Sequence, residues 1–344
     1  MVTPHKPVTL SFLAKRLNVH VSTVSRVLNG KADDAKSAAS PDTVARIRAL
    51  ADELNYRPNL HAIGLRTHKS RSVGVLVPRL SDLSIATIYE GVEAAAADHG
   101  YLSFVSNTGD SAGRQRELAE MALDRGVEGI IFADARLDDV RFIDELALRG
   151  TPLLLVSRHA GRHCAVTCDD VCGGGLAARH LLALGHRDFA ILAGERYSST
   201  GYDRSQGFIQ ACHEQGVEIP SDRVLFGSFR AETGYEFGRR LFSRKTRPTA
   251  VFTANDFLAI GLMGAVRDCG LIPGQDIAVV GFNDTPIAAH LPIGLSSVRS
   301  PRHRMGYRAF ELLLARIAGE TPLTEQLEPQ LIVRASSALD IRAR

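Results

Sequence analysis

The chain has 344 residues, 45% apolar and 23% charged, a composition that suits a globular protein of two or three structural units. No run of 18 apolar residues offers a membrane span, and five cysteines, an odd number, argue against a disulfide framework. The net charge of +3 is unevenly placed: residues 1–71 hold 12 Lys and Arg against 5 Asp and Glu, whereas the other 273 hold 29 against 33. A small basic head on a mildly acidic body is the footprint of a nucleic-acid binder with a second task.

The opening, Met1-Val-Thr-Pro-His-Lys-Pro, has no apolar secretory core, so a cytoplasmic location is expected. Thr9 is a plausible N-cap for a helix Leu10–Leu17, with Leu10, Leu13, Ala14 and Leu17 on one face. Asn18-Val19-His20 reads as a turn, followed by a helix Val21–Leu28 that Asn29-Gly30 stops. The polar, alanine-rich stretch Lys31–Ser40 has no apolar period and reads as a loop. Ser40-Pro41 opens a third helix running to Leu54. The three-residue turn is helix-turn-helix spacing, in which the second helix enters the major groove. Its polar face, Ser22, Thr23, Ser25, Arg26 and Asn29, can address base edges and phosphates. Residues 59–69 are basic and glycine-interrupted, a linker too short to be a stable helix alone.

From Val73 onward, short apolar strands alternate with helices. The strands are Val73–Val77, Leu102–Ser106, Gly129–Phe132 and Leu153–Val156. A second series starts at Ala165–Cys168 and continues with Phe189–Leu192, Arg223–Phe226, Ala250–Thr253 and Ile277–Gly281. Helices are expected at 85–99, 112–125, 140–149, 174–184, 205–214, 233–242 and 257–269. Such alternation predicts parallel, doubly wound sheets, too many strands for one sheet and suited to two lobes. Ligands of such folds bind beyond the carboxyl ends of the strands.

Two patterns point elsewhere. Gly173-Gly-Gly-Leu-Ala-Ala178 matches a dinucleotide fingerprint with Glu195 about twenty residues on. Against it, Asp169 and Asp170 at the strand end would repel a pyrophosphate, and no catalytic constellation accompanies it. Cys164, Cys168 and Cys172, with His159 and His163 nearby, do not have zinc-finger or ferredoxin spacing. No nucleophile elbow occurs. No cofactor, metal or catalytic residue is therefore expected, and the chain is read as a non-enzyme. A small-molecule-binding or NAD-dependent protein with an incidental basic head is the alternative.

Lys6-Pro-Val-Thr-Leu10, Val21-Ser-Thr-Val-Ser-Arg-Val-Leu-Asn-Gly30 and Leu54-Asn-Tyr-Arg-Pro-Asn59 strongly resemble the lactose-repressor/galactose-repressor (LacI/GalR) family of bacterial transcription regulators. The likeness continues through Gly126-Val-Glu-Gly-Ile-Ile131, Arg204-Ser-Gln-Gly-Phe208, Ala254-Asn-Asp256, Val280-Gly-Phe-Asn-Asp284 and Leu295-Ser-Ser-Val-Arg299. It implies a small all-α helix-turn-helix head (residues 1–58), a hinge helix (59–69) and a periplasmic-binding-protein-like body of two lobes (70–344). It further implies a homodimeric repressor that reads a near-palindromic operator under control of a small-molecule effector. In the head, it implies that Ser22 and Arg26 face bases, that Val21 makes an apolar base contact, and that Ser40, Thr43 and Asn59 bind phosphate. Thr9 joins that DNA-contacting set. Leu65 would wedge into the minor groove at the operator centre with Ala62 beside it.

The chain departs from the family pattern in two places in this region. Gly30–Ser40 is about five residues longer than the usual family turn, and Ile63 stands where many relatives carry arginine. For the body, the resemblance implies an effector in the cleft between the lobes, gripped by Arg204. Asn255 offers a donor and an acceptor. Asn283 and Ser157, the latter before Arg158, replace common aspartates, which with the two arginines hints at an anionic or less hydroxylated effector. Asp82, Ser84, Phe229 and Ser300 would also line the cleft.

Overall fold

A computed structural model of the chain describes residues 8–29, 35, 37–56 and 69–338. The chain divides into two compact units, Met1–Ser70 and Arg71–Arg344, each with its own core.

The first unit is helical. α1 (Leu10–Leu17) starts where Thr9 Oγ1 accepts from the Phe12 amide at 3.2 Å, and ends at Asn18, whose φ of 54° lets the chain turn. α2 (Val21–Asn29) follows after two more residues. α3 (Pro41–Glu53) has Ser40 as N-cap and Pro41 at its first position. Leu13, Ala14, Val24, Val27, Ile47 and Ala51 close the core. The stretch read as a loop, Lys31–Ser40, is corrected in part: Ala35, Ser37 and Ala38 are helical, and Ala35 is buried in the same core. Alanine carries no strong apolar period, so burial of so small a side chain left no mark in the pattern.

The second unit holds two six-stranded sheets. The first contains β1 (Ser72–Val77), β2 (Leu102–Asn107), β3 (Ile130–Phe132), β4 (Leu153–Val156), β5 (Ala165–Cys168) and, late in the chain, β11 (Glu325–Leu327), in the order β11-β5-β4-β3-β1-β2. The second contains β6 (Phe189–Gly194), β7 (Val224–Phe226), β8 (Ala250–Thr253), β9 (Ala278–Asn283), β10 (Ser296–Arg299) and β12 (Gln330–Ile332), in the order β12-β10-β9-β8-β6-β7. All pairings are parallel except β10 with β12. Ala165–Cys168 does not begin the second lobe, as the strand count suggested; it pairs with β4 in the first. The chain therefore passes between the lobes three times, near residues 169, 300 and 328.

The helices are α4 (Leu83–Asp98), α5 (Ala112–Asp124), α6 (Arg141–Leu148), α7 (Asp170–Ala183), α8 (Ser199–His213), α9 (Ala231–Phe242), α10 (Asp256–Asp268), α11 (Pro286–His290) and α12 (Arg302–Ile317). Two begin four or more residues earlier than the apolar period suggested. Asp169 caps α7 by accepting from the Cys172 amide at 2.9 Å, four residues ahead of the expected start. The polar first turns of α8 are buried, with Ser198 and Thr200 hydroxyls 2.8 Å apart and Ser205 Oγ donating to the Gly201 carbonyl.

Three helix pairs touch backbone to backbone through reciprocal glycines. A β-carbon on Gly91 of α4 would collide with the His303 carbonyl of α12, and one on Gly306 with the Ile88 carbonyl. The same holds for Gly174 of α7 against Arg204 and Gly207 of α8 against Val171. Gly234 of α9 against Leu258 and Gly261 of α10 against Ala231 complete the set. The glycines that mimic a dinucleotide fingerprint thus include the close-approach surface of α7, and Gly173 itself lies under the Phe282 ring.

Candidate functional sites: a helix face and an interlobe cleft

In the head, α2 buries Val24 and Val27 and turns its other face outward. Ser22 and Arg26, one turn apart, are exposed, and Thr23 and Ser25 are half-buried. Val21 remains 38% exposed at the helix start, an apolar side chain with little core to join. Ser22 Oγ lies 2.7 Å from His20 Nδ1, which orients it. Asn29 is different from the others: it is half-buried and its side chain hydrogen-bonds Tyr56, so it helps close the head rather than extend the outward face. Ser40 Oγ accepts from the Thr43 amide at 3.4 Å and lies 3.0 Å from the Thr43 hydroxyl, so this pair starts α3. Asn59, Ala62 and Leu65 lie outside the described residues.

In the body, Asp82, Ser84, Ser157, Arg158, Arg204, Phe229, Asn255, Asn283 and Ser300 all line one cavity between the two sheets. Strand ends and the first turns of helices deliver them, as expected for a doubly wound fold. Sequence reasoning missed Arg79, Asp110, Thr200 and Arg302, which line it too. Asp110, Ser157 and Asn283 carry positive φ values of 63°, 68° and 99°. Non-glycine residues held there mark a wall whose surroundings over-determine its backbone.

The charges on this wall are largely paired. Arg158 forks onto Asp110, Nη1 to Oδ1 at 2.7 Å and Nη2 to Oδ2 at 3.0 Å, and Tyr197 donates to the same carboxylate. Burial alone would raise the Asp110 pKa, but Arg158, Tyr197 and Arg136 together hold it below the ordinary carboxylate value. Arg204 Nε donates to Asp170 Oδ1 at 2.8 Å, Nη1 donates to the Ala254 carbonyl at 2.7 Å, and the guanidinium stacks 3.9 Å over Phe282. Burial pushes Asp170 up to about 6, against the pull of Arg204.

Asn255 offers less than its amide suggested. It caps α10 by accepting from the Leu258 amide and donates to the Phe229 carbonyl, so both ends are engaged within the second lobe. Asn283 donates to Ser84 Oγ at 2.8 Å and so bridges the lobes across the cavity. Asp82 caps α4 through the Ser84 amide, and Ser300 Oγ contacts Met305 Sδ at 3.4 Å. Cys164 and Cys168 are buried and Cys172 is exposed. Among the described residues no helix is long and apolar enough to cross a membrane.

Two family models match the chain: bacterial regulatory proteins of the lacI family over residues 9–59, and a periplasmic binding protein-like domain over residues 178–337. Over 335 residues the chain is 30% identical to the HTH-type transcriptional repressor PurR of Serratia proteamaculans (strain 568), spanning 96% of this chain and 97% of that protein. The structure is similar to the lac repressor dimer bound to operator and the anti-inducer ONPF, with a TM-score of 0.88 and 26% identity over 96% of this chain and 99% of that one. It is also similar to the transcriptional regulator CelR in its cellobiose complex, with a TM-score of 0.73 and 29% identity over 96% and 99%. A helix-turn-helix head and a two-lobed body with a polar cleft define a DNA-binding transcription regulator controlled by a small-molecule effector. The chain belongs to the LacI/GalR family of bacterial regulators.

Proposed function

We propose that the chain is a homodimeric, cytoplasmic repressor, without enzymatic activity, whose operator affinity follows occupancy of the interlobe cleft. The observation that supports this most is convergence. Nine residues spread from Asp82 to Ser300, drawn from both lobes, line one cavity. A ligand there touches both lobes and can bias their relative placement. Arg204 is the proposed grip, because its internal bonds use Nε and Nη1 and leave Nη2 for a ligand. Ser84 and Asn283 would exchange their mutual bond for bonds to the effector.

In the head, Ser22, Thr23, Ser25 and Arg26 would read base edges, with Val21 against an apolar base surface. Thr9, Ser40, Thr43 and Asn59 would lie along the phosphates. Residues 59–69 would form the hinge, folding with both copies on bent DNA, with Leu65 as the wedge and Ala62 beside it. The relatives bound to ONPF and cellobiose support a small polar effector.

The test uses the full chain and the DNA upstream of its own gene. A thermal-shift screen of sugars, sugar acids, sugar phosphates and purines should give one class that raises the melting temperature and changes operator retardation in the same concentration range. A compound that stabilises the protein but leaves retardation unchanged would sink the regulatory reading. Titration with nicotinamide cofactors is the control for a dinucleotide-using protein and should give no response.

A further inference from the structure

We propose that the cleft contains an anion subsite centred on Arg302, so that the effector bears a carboxylate or phosphoryl group. This rests on the reading of the cleft as the effector site and adds the kind of molecule it takes. Arg158 and Arg204, the arginines that draw attention in the sequence, already have buried carboxylate partners, Asp110 and Asp170. Arg302 has none. It lines the cavity and is only 8% exposed, its Nη2 donates to the Asp284 carbonyl at 3.2 Å, and its Nε and Nη1 are buried with no partner among the described residues.

The carboxylates around it are engaged elsewhere. Asp256 accepts from Ser297 and Thr285, and Asp284 pairs with Arg299 and Arg334. On the cavity wall, Asp82 caps α4 and Asp110 holds Arg158. Burial pulls the Arg302 pKa down while Asp256, Asp82 and Asp284 oppose that from a distance. A guanidinium does not resolve the conflict by losing its proton. A buried cation with unmatched donors is costly, and an anion in the cavity that Arg302 lines would supply the missing counter-charge.

The surroundings favour the same charge. Arg302 is the first residue of α12, and the first turns or caps of α4, α8 and α10 line the same cavity through Ser84, Thr200 and Asn255. Four helix starts put the positive ends of their dipoles around one space. Arg79 adds a second guanidinium from the first lobe. A neutral sugar could accept hydrogen bonds from Arg302 but would leave its charge uncompensated.

The full chain is titrated with inorganic phosphate, and separately with glucose and glucose 6-phosphate, by calorimetry and thermal shift. Phosphate should bind, and the phosphorylated sugar should bind more tightly than the neutral one. Arg302→Met should weaken both anions about 10- to 100-fold. Its melting temperature without ligand should hold or rise, because an unpaired buried charge is gone, and Arg302→Lys should keep part of the affinity. Equal phosphate affinity in wild type and Arg302→Met overturns the proposal, as does an unliganded Arg302→Met that melts lower, which would make Arg302 structural. A neutral effector that shifts operator retardation equally in both proteins overturns the subsite while upholding the regulator. Anion binding lost in Arg302→Met, with no effect of any anion on operator retardation, upholds the subsite and sinks the regulatory reading.

Discussion

The outward face of α2 and the wall of the cleft both carry polar side chains, but the two regions meet opposite physical demands. Ser22 and Arg26 are exposed, so an unpaired donor there is hydrated and costs nothing in the free protein. At the cleft and just behind its wall, Arg158, Arg204, Asp170 and Arg302 are all buried, so each must find an opposite charge or destabilise the fold. Three of them do. The contrast shows where to look for function in each region: in the head, for side chains that fold without being needed, and in the cleft, for the one that folding leaves unsatisfied.

The largest test separates the regions altogether. A chain beginning near Ser70 should fold on its own core and keep its ligand-induced thermal shift, yet lose specific operator retardation entirely, a difference on the order of 4–10 kcal/mol between specific and non-specific binding. Retained specific retardation would place DNA reading in the body and end the comparison.

The next test sharpens the cleft side. Asp170→Asn leaves Arg204 buried without its counter-charge and should destabilise the body by about 3–5 kcal/mol, a penalty that declines as pH rises through about 6 because Asn cannot take up the proton that folded Asp170 binds. Arg204→Met removes the other partner, and its penalty should shrink as pH falls, because a carboxyl can take up a proton. The sign is fixed by the wild type: with the folded pKa raised to about 6, the folded chain binds a proton that the unfolded chain lacks, so the Asp170 contribution to stability declines as pH rises through this range. Urea denaturation of both variants at pH 5 and 8 measures the asymmetry. Equal penalties at both pH values would show that Arg204 and Asp170 are not a dependent pair.

On the head side, Arg26→Ala should leave the melting temperature unchanged and lower specific affinity by about 1–3 kcal/mol, relaxing discrimination at one base pair. Retardation of specific and random DNA across salt checks it. Equal loss on both would make Arg26 a phosphate contact with a reduced salt slope. The smallest effect concerns Ser40, which caps α3 in the free head. Ser40→Ala should cost about 1 kcal/mol of head stability. Operator affinity that falls no further than this predicts would leave Ser40 without a phosphate contact of its own.

Much of this was legible in the sequence because function here rides on short, separated motifs. The caps Thr9 and Ser40 and the lining set from Asp82 to Ser300 lie at strand ends or helix starts that pattern and resemblance locate. What stayed hidden depends on pairing across long separations. Arg158 meets Asp110 from 48 residues away and Arg204 meets Asp170 from 34, so the sequence cannot say which arginine has a partner, and Arg302 passed unnoticed. Strand β10 was equally opaque. The apolar pattern placed no strand at Ser296–Arg299, because Ser296 and Ser297 are polar, yet both are buried, hydrogen-bonded to Ser336, Ser337 and Asp256. The early turns of α8 hid for the same reason, their hydroxyls satisfied locally.

The reciprocal glycine contacts have a bearing on how this cleft can change. Each of the three helix pairs carries a cavity residue at or beside a helix start: Arg302 on α12, Thr200 on α8 and Asn255 at the cap of α10. Backbones in mutual contact leave no slack for side chains to cushion, so these pairs act as stiff clamps with fixed spacing. Residues at the mouths of the clamps can be exchanged to suit a new ligand without re-fitting the clamp. A single added methyl at Gly174, Gly207, Gly261 or Gly306 would instead shift a whole helix and every residue it presents. Variation in ligand preference is thereby channelled to the tips, while the glycines hold the frame in which any such preference is read.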